Sequence, residues 1–205
     1  SIPRRIDSRM EFDRERRKVL IASGSDKGIE YLTGQLSGGR YDTSYPVASA
    51  AEARRRLDSV AYDILIVNTP LKDEFGADFA SGEAENSNIG VVLIVKNEIY
   101  DQIAYKTEDS GVIVLSKPLS SSALTQAVRV AAALRARLVK EEKKTETMQK
   151  RMDEIRLVNH AKWVLISKLG MDEENAHRFI EKQAMDLRQT RSEVSQFIIR
   201  TYENQ

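Results

Sequence analysis

Residues 161–199 read AKWVLISKLGMDEENAHRFIEKQAMDLRQTRSEVSQFII, and their apolar side chains recur at helical spacing in three short groups. Gly170 ends the first group, Asp172 is placed to cap the second, and Thr190 or Ser192 is placed to cap the third. Helices this short can bury a core only by packing on one another. The stretch therefore predicts a compact three-helix unit. Its predicted core positions are Ala161, Val164, Leu165, Ile166, Ala176, Phe179, Ile180, Ala184, Val194, Phe197 and Ile198.

The order of residue types in this stretch is more distinctive than its period. The informative features are Ala161-Lys162, Leu165, Gly170-Met171, Glu174, Ala176-His177, Ile180, Ala184-Met185, Glu193-Val194-Ser195 and Ile198-Ile199. Together they closely resemble the ANTAR domain, a small three-helix RNA-binding module at the C-terminus of bacterial antitermination regulators. The resemblance implies an all-α RNA-binding domain over residues 160–205.

The residues expected to contact RNA are the basic side chains outside the predicted core, together with the Ala-Lys and Ala-Met pairs of the resemblance. They are Ala161, Lys162, Lys168, Arg178, Lys182, Ala184, Met185, Arg188 and Arg191. For each basic residue, an ordinary solvated helix face is an equally good interpretation. The two alanines could instead be small because helices approach closely there. His177 stands where the family often has an aromatic residue, so we expect it to pack rather than bind a ligand.

Composition limits the functions that the chain can have. Its 205 residues are 41% hydrophobic and 31% charged, enough for one ordinary domain and a smaller one. Lysine and arginine (32) almost cancel aspartate and glutamate (31), so no overall basic charge favours nucleic acid. An RNA site must then be local, or gain strength from dimerisation.

Residue types that carry much enzyme chemistry are scarce. There is no cysteine, which excludes disulfides, thiolate metal sites and cysteine nucleophiles, and the two histidines make a histidine-based metal site a poor interpretation. No nucleophile–base pair is recognisable, so we predict neither an enzyme nor a bound cofactor. No apolar run approaches the roughly 20 residues that span a bilayer, and no signal peptide is visible. We predict a cytoplasmic protein without membrane contact.

The N-terminal two thirds alternate short strands with helices. After a charged segment, residues 1–17, which we expect to be flexible, apolar strands are predicted near 19–22, 41–47, 63–68, 90–95 and 112–115. Helices are predicted at 26–36, from a capping box at Ser49 and Glu52 to about 58, and from about Ser120. Buried strands that alternate with helices predict a flavodoxin-like, doubly wound parallel sheet over residues 18–133. Any site should lie at the carboxyl ends of its strands.

Three features at those carboxyl ends resemble a response-regulator receiver domain. Lys117-Pro118 follows the fifth strand directly, as the family's Lys-Pro pair does, in which the lysine reaches the phosphoryl group and the peptide bond is usually cis. Asn68 ends the third strand at the position of the family's phosphoryl acceptor, and Gly76 follows where receivers place a loop glycine. The resemblance implies a receiver fold.

The chemistry of a receiver is nevertheless missing. Asn68 replaces the acceptor aspartate, and an amide cannot form an acyl phosphate. Ser23 and Gly24 replace the acidic pair that would hold Mg²⁺, and Val95 replaces the switching hydroxyl. Lys117 alone remains; it could bind an anion, hydrogen-bond to Asn68, or be a residual surface lysine. We interpret the domain as a pseudo-receiver that responds to another signal or to a sensor or regulatory partner.

Residues 134–159 predict a coiled-coil linker helix. Apolar residues at both ends of the segment follow a four-three alternation, with polar ones in the middle. No proline or glycine occurs from 119 to 169, so the last helix of the receiver could continue into the C-terminal unit. A parallel homodimer would bury the seam, and a helix that packs back on its own chain is the alternative. The predicted dimerisation residues are Leu134, Leu138, Met148, Met152 and Ile155.

The sequence thus favours an RNA-binding transcription antitermination regulator that acts as a dimer on hairpin RNA. The alternative is a DNA-binding transcription factor of the response-regulator type, whose last two helices form a helix-turn-helix. Against it, Arg200 is the only base between Ser192 and Tyr202, where a recognition helix would need several. A third alternative is a scaffold that only dimerises and binds another protein.

Overall fold

The computed structural model describes residues 16–203 and shows two compact units, the first ending at Val139 and the second beginning at Lys140. The segment predicted to be flexible, residues 1–17, lies outside the described residues except for its last two. No helix within 16–203 is long and apolar enough to cross a membrane.

The first unit alternates strands and helices as predicted. Its strands are β1 (Arg17–Ser23), β2 (Tyr41–Asp42), β3 (Ile64–Asn68), β4 (Gly90–Lys96) and β5 (Ile113–Lys117). Its helices are α1 (Asp26–Leu36), α2 (Ala50–Ser59), α3 (Ala77–Asn86) and α4 (Tyr100–Lys106), with 3-10 turns at Asn97–Ile99 and Glu108–Ser110. The long α5 (Ser121–Leu169) begins in this unit and continues unbroken, in agreement with the absence of proline and glycine.

All strands pair in parallel in the order β2-β1-β3-β4-β5, which confirms the doubly wound sheet. Side chains of β3 alternate between two apolar cores. Leu65 and Val67 pack with residues of α2 and α3 on one face, whereas Ile64 and Ile66 pack with residues of α1 and α5 on the other. Because helices cover both faces, all residues of β3 are buried, and all of them are apolar except the last, Asn68.

β2 is shorter than the predicted strand over residues 41–47. The carboxylate of Asp42 accepts the backbone N–H of Ser44 (3.0 Å) and turns the chain out of the sheet. Pro46 has no N–H to donate to a ladder. Val47 then returns to the sheet as an isolated bridge to Ala22.

α2 is capped from two directions. Ser49 Oγ accepts the N–H of Glu52 (3.2 Å) as expected, but Glu52 Oε2 accepts the N–H of Ala48 (3.0 Å) rather than that of Ser49. The reciprocal half of the predicted capping box is therefore displaced by one residue. Asp73 takes the N–H groups of Ala50 (2.8 Å) and Ala51 (3.0 Å).

The second unit consists of the end of α5, α6 (Glu173–Leu187) and α7 (Arg191–Tyr202), as the three-helix prediction requires. Gly170 lies after α5 in the left-handed conformation, with φ of 66°. Asp172 caps α6, and Thr190 rather than Ser192 caps α7 in a full capping box with Glu193. The core contains Val158, Ala161, Val164, Leu165, Ala176, Ile180, Ala184, Val194 and Ile198.

Three predicted core residues are not fully buried. Phe197 is 66% exposed and Ile166 is 38% exposed, while Phe179 is partly buried against the core. The buried stripe of α7 runs through Val194 and Ile198, and Phe197 lies about 100° from Ile198 around the helix. The apolar residues predicted the helix correctly, but Phe197 lies on its solvent-exposed side and not on the predicted core side.

The conformation of Gly76 gives a stability test with a control in the same helix. Gly76 precedes α3 with φ of 107°, and a Cβ there would meet Val67 Cγ1 at 2.9 Å. We expect Gly76→Ala to lower the free energy of unfolding by about 1–3 kcal/mol in urea titrations. Gly82→Ala, which meets nothing within 4 Å, should raise it by up to about 1 kcal/mol. Equal effects of both substitutions would contradict a strained backbone at Gly76.

Candidate functional site

The carboxyl edge of the sheet brings the predicted receiver residues together. Asn68, at the end of β3, lies opposite Ser23 of β1 and Ile94 of β4. Asn68 is only 8% exposed, and its Nδ2 donates a hydrogen bond to Ser23 Oγ (2.9 Å). Ser23 Oγ also donates to the backbone oxygen of Ser25 (3.2 Å). The amide is thus part of a hydrogen-bond chain that links two loops at the sheet edge.

Lys117 reaches across this edge from β5. Its Nζ donates to the backbone oxygen of Thr69 (2.7 Å), so the suggested hydrogen bond to Asn68 is wrong in this structure. Burial lowers the pKa of Lys117, and the positive charge of Lys96 lowers the same pKa further. Lys117 is therefore a partly buried cation held against a carbonyl, not a freely solvated surface lysine.

The peptide bond between Lys117 and Pro118 is cis, as the receiver resemblance implied. A second cis bond joins Thr69 to Pro70, directly after Asn68. It was not predicted, since an X-Pro pair in a loop does not by itself indicate its isomer.

Carboxylates near this edge in sequence serve the fold. Asp73 caps α2, and the N–H groups of Ala51 and Ala50 lower its pKa. Asp63 precedes β3, at the opposite end of that strand, where it accepts Arg135 Nε (2.8 Å). Within residues 16–203, no group of three or more histidines and carboxylates is arranged to hold a metal ion. Neither Asp73 nor Asp63 occupies the position of the phosphoryl-acceptor aspartate, where this chain has Asn68.

A cleft of about 540 Å³ lies over the carboxyl edge. It is lined by the loops after β1, β3 and β5 and by the first turns of α1. Lys27 and Lys117 contribute the cationic groups, Asn68 contributes an amide, and none of the lining residues is acidic. The polarity of this site is therefore opposite to that of a carboxylate cluster for Mg²⁺.

In the second unit, the predicted RNA-binding residues separate into buried and exposed sets. Ala161 is fully buried and Ala184 is 9% exposed, and both belong to the helix core. Their side chains cannot offer a contact surface, so direct contact of these two alanines with RNA is a wrong prediction. Their burial in the core of the second unit agrees with a packing role, which the sequence left open as the alternative.

Several of the predicted basic residues are engaged in ion pairs. Lys162 Nζ lies 3.2 Å from Glu173 Oε1, with only 17% of its side chain exposed. Arg191 pairs with Glu154 (3.1 Å) and Arg178 with Glu174. The remaining predicted basic residues, Lys168, Lys182 and Arg188, are exposed and have no ion-pair partner within residues 16–203.

The outer face of α6 gathers part of this set. Arg178, Lys182 and Met185 recur at spacings of four and three residues, on the side of the helix opposite the buried Ala176 and Ile180. Met185 is 75% exposed. This face presents two cations beside an uncovered apolar side chain.

Arg188 ends α6 in an unusual backbone conformation. Its φ of 53° is left-handed, a conformation that glycine usually supplies at a helix C-terminus. Arg188 is exposed in the tight turn between α6 and α7. His177 pairs with Glu181 Oε1 (3.2 Å) and is only partly buried, so the predicted packing role is at most partial.

Trp163 is an exposed aromatic residue that was not among the predicted site residues. Trp163 is 61% exposed, and its ring centroid lies 6.5 Å from that of His160. Its position off the stripe of Ala161, Val164 and Leu165 could have signalled this from the sequence.

Side chains of the predicted seam are exposed along α5. Their exposed fractions range from 39% at Leu134 to 59% at Ile155, with Leu138, Met148 and Met152 between these values. Within one copy of the described chain, these side chains are not covered.

Comparison with known proteins agrees with both units. Residues 146–199 match the ANTAR domain family model, which begins inside the segment predicted as linker. The chain is 26% identical over 186 residues to the transcriptional regulatory protein PdtaR of Mycobacterium tuberculosis, covering 90% of each chain. It is 27% identical over 127 residues to the aliphatic amidase regulator of Pseudomonas aeruginosa, covering 62% of this chain and 63% of that protein.

Solved structures support the fold of the first unit. The signal receiver domain of an HD domain-containing protein from Pseudomonas fluorescens matches with a TM-score of 0.55 and 20% identity, covering 62% of this chain and 93% of that domain. A response regulator receiver domain protein from Clostridium thermocellum matches with a TM-score of 0.52 and 16% identity, covering 60% of this chain and 98% of that one. The chain thus combines a receiver-like α/β fold with a C-terminal ANTAR domain and is similar to PdtaR along most of its length.

Proposed function

We propose that the chain is an RNA-binding antitermination regulator of transcription, a member of the response regulators whose receiver-like domain is not phosphorylated. The observation that carries the proposal is the ANTAR match over residues 146–199, in a chain similar to a transcriptional regulatory protein over 90% of its length. We expect it to act in the cytoplasm, where transcripts are made, and not as an enzyme.

The outer face of α6 and the following turn form the proposed RNA surface. Lys182 and Arg188 are exposed cations without an ion pair among the described residues, so they are available to phosphates. Met185 offers apolar surface to an unpaired base, and RNA sequence is read mainly in such loops. Lys168 is equally available on α5, whereas Lys162, Arg178 and Arg191 must first leave their carboxylates.

The near-zero net charge of the second unit suggests that RNA binding is strengthened by dimerisation. Acidic and basic residues nearly cancel within residues 140–203, so one unit has little net attraction for RNA. We propose that a coiled coil over residues 134–159 joins two copies through its exposed seam. Two ANTAR domains, at about residues 160–205 of each copy, could then engage two hairpins, and the second contact becomes intramolecular.

The receiver-like domain, at about residues 18–133, would serve as the input of the regulator. Asn68 holds Ser23 with its amide and offers no carboxylate to a phosphoryl donor. The cleft where Mg²⁺ would have to bind is lined by Lys27 and Lys117 and by no carboxylate that could hold a dication. We propose that another signal, or a sensor or regulatory protein, controls the domain.

Phosphoryl donors should therefore leave the protein unchanged. Incubation with acetyl phosphate and Mg²⁺ is expected to add no mass, and beryllofluoride is expected to shift no amide signal at the sheet edge. Intact-mass spectrometry and NMR spectra check this. An acid-labile phosphate in stoichiometric amount would contradict the pseudo-receiver.

Introducing charged residues into the seam tests whether it forms the dimer interface. Met148→Lys together with Met152→Lys would place cations in the proposed seam, so we expect a shift toward monomer in sedimentation velocity and weaker RNA binding. Thr147→Lys, which adds a cation at an exposed position outside the four-three alternation, is the control and should neither shift the protein toward monomer nor weaken RNA binding. Identical sedimentation of the double variant and wild type would argue against the coiled coil.

RNA binding itself is tested with a two-hairpin RNA and duplex DNA of the same sequence, each titrated at two salt concentrations. The test variant is Lys182→Ala with Arg188→Gly, since glycine fits the left-handed turn and should preserve the fold. We expect salt-sensitive binding to RNA but not DNA, weakened about tenfold or more in the variant.

The matched control for this titration is Arg55→Ala with Lys72→Ala, which removes one arginine and one lysine from exposed positions of the first unit. It should bind RNA like wild type. Preference for duplex DNA would favour the helix-turn-helix alternative. Equal losses in both double variants would mean that net charge, not the α6 surface, binds RNA.

A further inference from the structure

The cleft at the carboxyl edge of the sheet has the properties of a small-molecule site. Its volume of about 540 Å³ falls in the range of ligand pockets, roughly 300–1,000 Å³. It lies where doubly wound sheets bind their ligands, outside the carboxyl ends of the strands. The inference below concerns this cleft alone and does not depend on RNA binding.

The charge in the cleft favours an anion. Lys117 uses one Nζ hydrogen on the oxygen of Thr69, and no other hydrogen-bond partner of its ammonium occurs among residues 16–203. Lys27 lines the same cleft, and no acidic residue does. A carboxylate in the cleft would give an acceptor to the donors that Lys117 leaves open and a counter-charge to both lysines.

An acceptor in the cleft is also open. Asn68 is 8% exposed, and its Nδ2 is committed to Ser23 Oγ, but its Oδ1 accepts no hydrogen bond from residues 16–203. The buried side-chain atoms that lack a partner among residues 16–203 do not include this Oδ1, so it is reachable from the cleft and can accept a donor from a ligand in place of water. The site therefore also favours a ligand that carries a hydrogen-bond donor.

The remaining walls are apolar. They include Leu32, Leu71, Ile94, Pro118 and Leu119. Tyr31 joins them, and its hydroxyl donates to the backbone oxygen of Leu119 (3.0 Å), which ties α1 to the loop after β5. Inorganic phosphate would satisfy the lysines but would leave these walls facing water.

We propose that the cleft binds a small hydroxylated aromatic carboxylate. The carboxylate pairs with Lys117 and Lys27, the ring lies against the apolar walls, and the hydroxyl donates to Asn68 Oδ1. The retained Lys117 and the substituted Asn68 would thus act together, with Lys27, to recognise a ligand other than a phosphoryl group.

The test uses the full chain and 4-hydroxybenzoate as the probe, followed by amide NMR and calorimetry. We expect shifts at the amides of Gly24 and Gly28, which line the cleft, at millimolar probe. Benzoate should bind more weakly because it lacks the hydroxyl. The neutral 4-hydroxybenzyl alcohol should bind about tenfold or more weakly because it lacks the charge. Inorganic phosphate at the same concentration should bind more weakly than the probe, because it leaves the apolar walls uncovered.

Lys117→Met keeps the length of the side chain and removes its charge, and we expect affinity for 4-hydroxybenzoate to fall about tenfold or more. Lys72→Met, an exposed lysine outside the cleft lining, is the matched control and should bind like wild type. If Lys117→Met does not fold, the affinities of wild type for 4-hydroxybenzoate, benzoate and 4-hydroxybenzyl alcohol still test the proposal. No shift at the cleft amides, or equal affinity for the neutral alcohol, would overturn the proposal.

Discussion

The position of β3 between β1 and β4 is the constraint on which the carboxyl-edge site depends. Parallel pairing places Ser23 opposite Asn68, and Asn68 opposite Ile94. Burial of both faces fixes this register, because a slip by one residue would exchange the side chains between the two cores. The amide of Asn68 therefore lies beside a serine hydroxyl and not beside an acidic pair. Its Nδ2 hydrogen-bonds to Ser23 Oγ, whereas its Oδ1 has no hydrogen-bond donor among residues 16–203.

The elements that could be predicted from sequence are those whose cause is local. The apolar runs of β3 and β4, the glycine after α5 and the caps at Asp172 and Thr190 each act within a few residues, and each was found. The contact of Lys117 with Thr69 was not, because it joins residues 48 apart through the geometry of two loops. The position of the cleft at the carboxyl ends of the strands was predicted, but its lining was not, for the same reason.

The second unit shows a different limit of sequence reasoning. Ala161 and Ala184 lie on the same buried stripes as Leu165 and Ile180, so periodicity already argued for core while the resemblance argued for contact. The structure resolves this conflict in favour of packing. Phe197 is the converse case, an apolar residue that the helix turns outward because its neighbour Ile198 occupies the core.

Asp73 and Glu193 give the two units a common dependence on acid. Asp73 accepts the N–H groups of Ala51 and Ala50 at the start of α2, and Glu193 accepts that of Thr190 at the start of α7; these bonds lower the pKa of each carboxyl. A carboxyl group whose pKa is lower in the folded than in the unfolded chain stabilises the fold. That stabilisation is complete above the pKa of the unfolded chain, 3.8 for Asp73 and 4.5 for Glu193, and is lost as the pH falls through the lowered pKa of the folded chain. Both carboxylates therefore keep their bonds to the helix starts across the neutral range, and each loses its contribution as the pH falls through its own lowered pKa, which leaves the hydroxyl caps of Ser49 and Thr190.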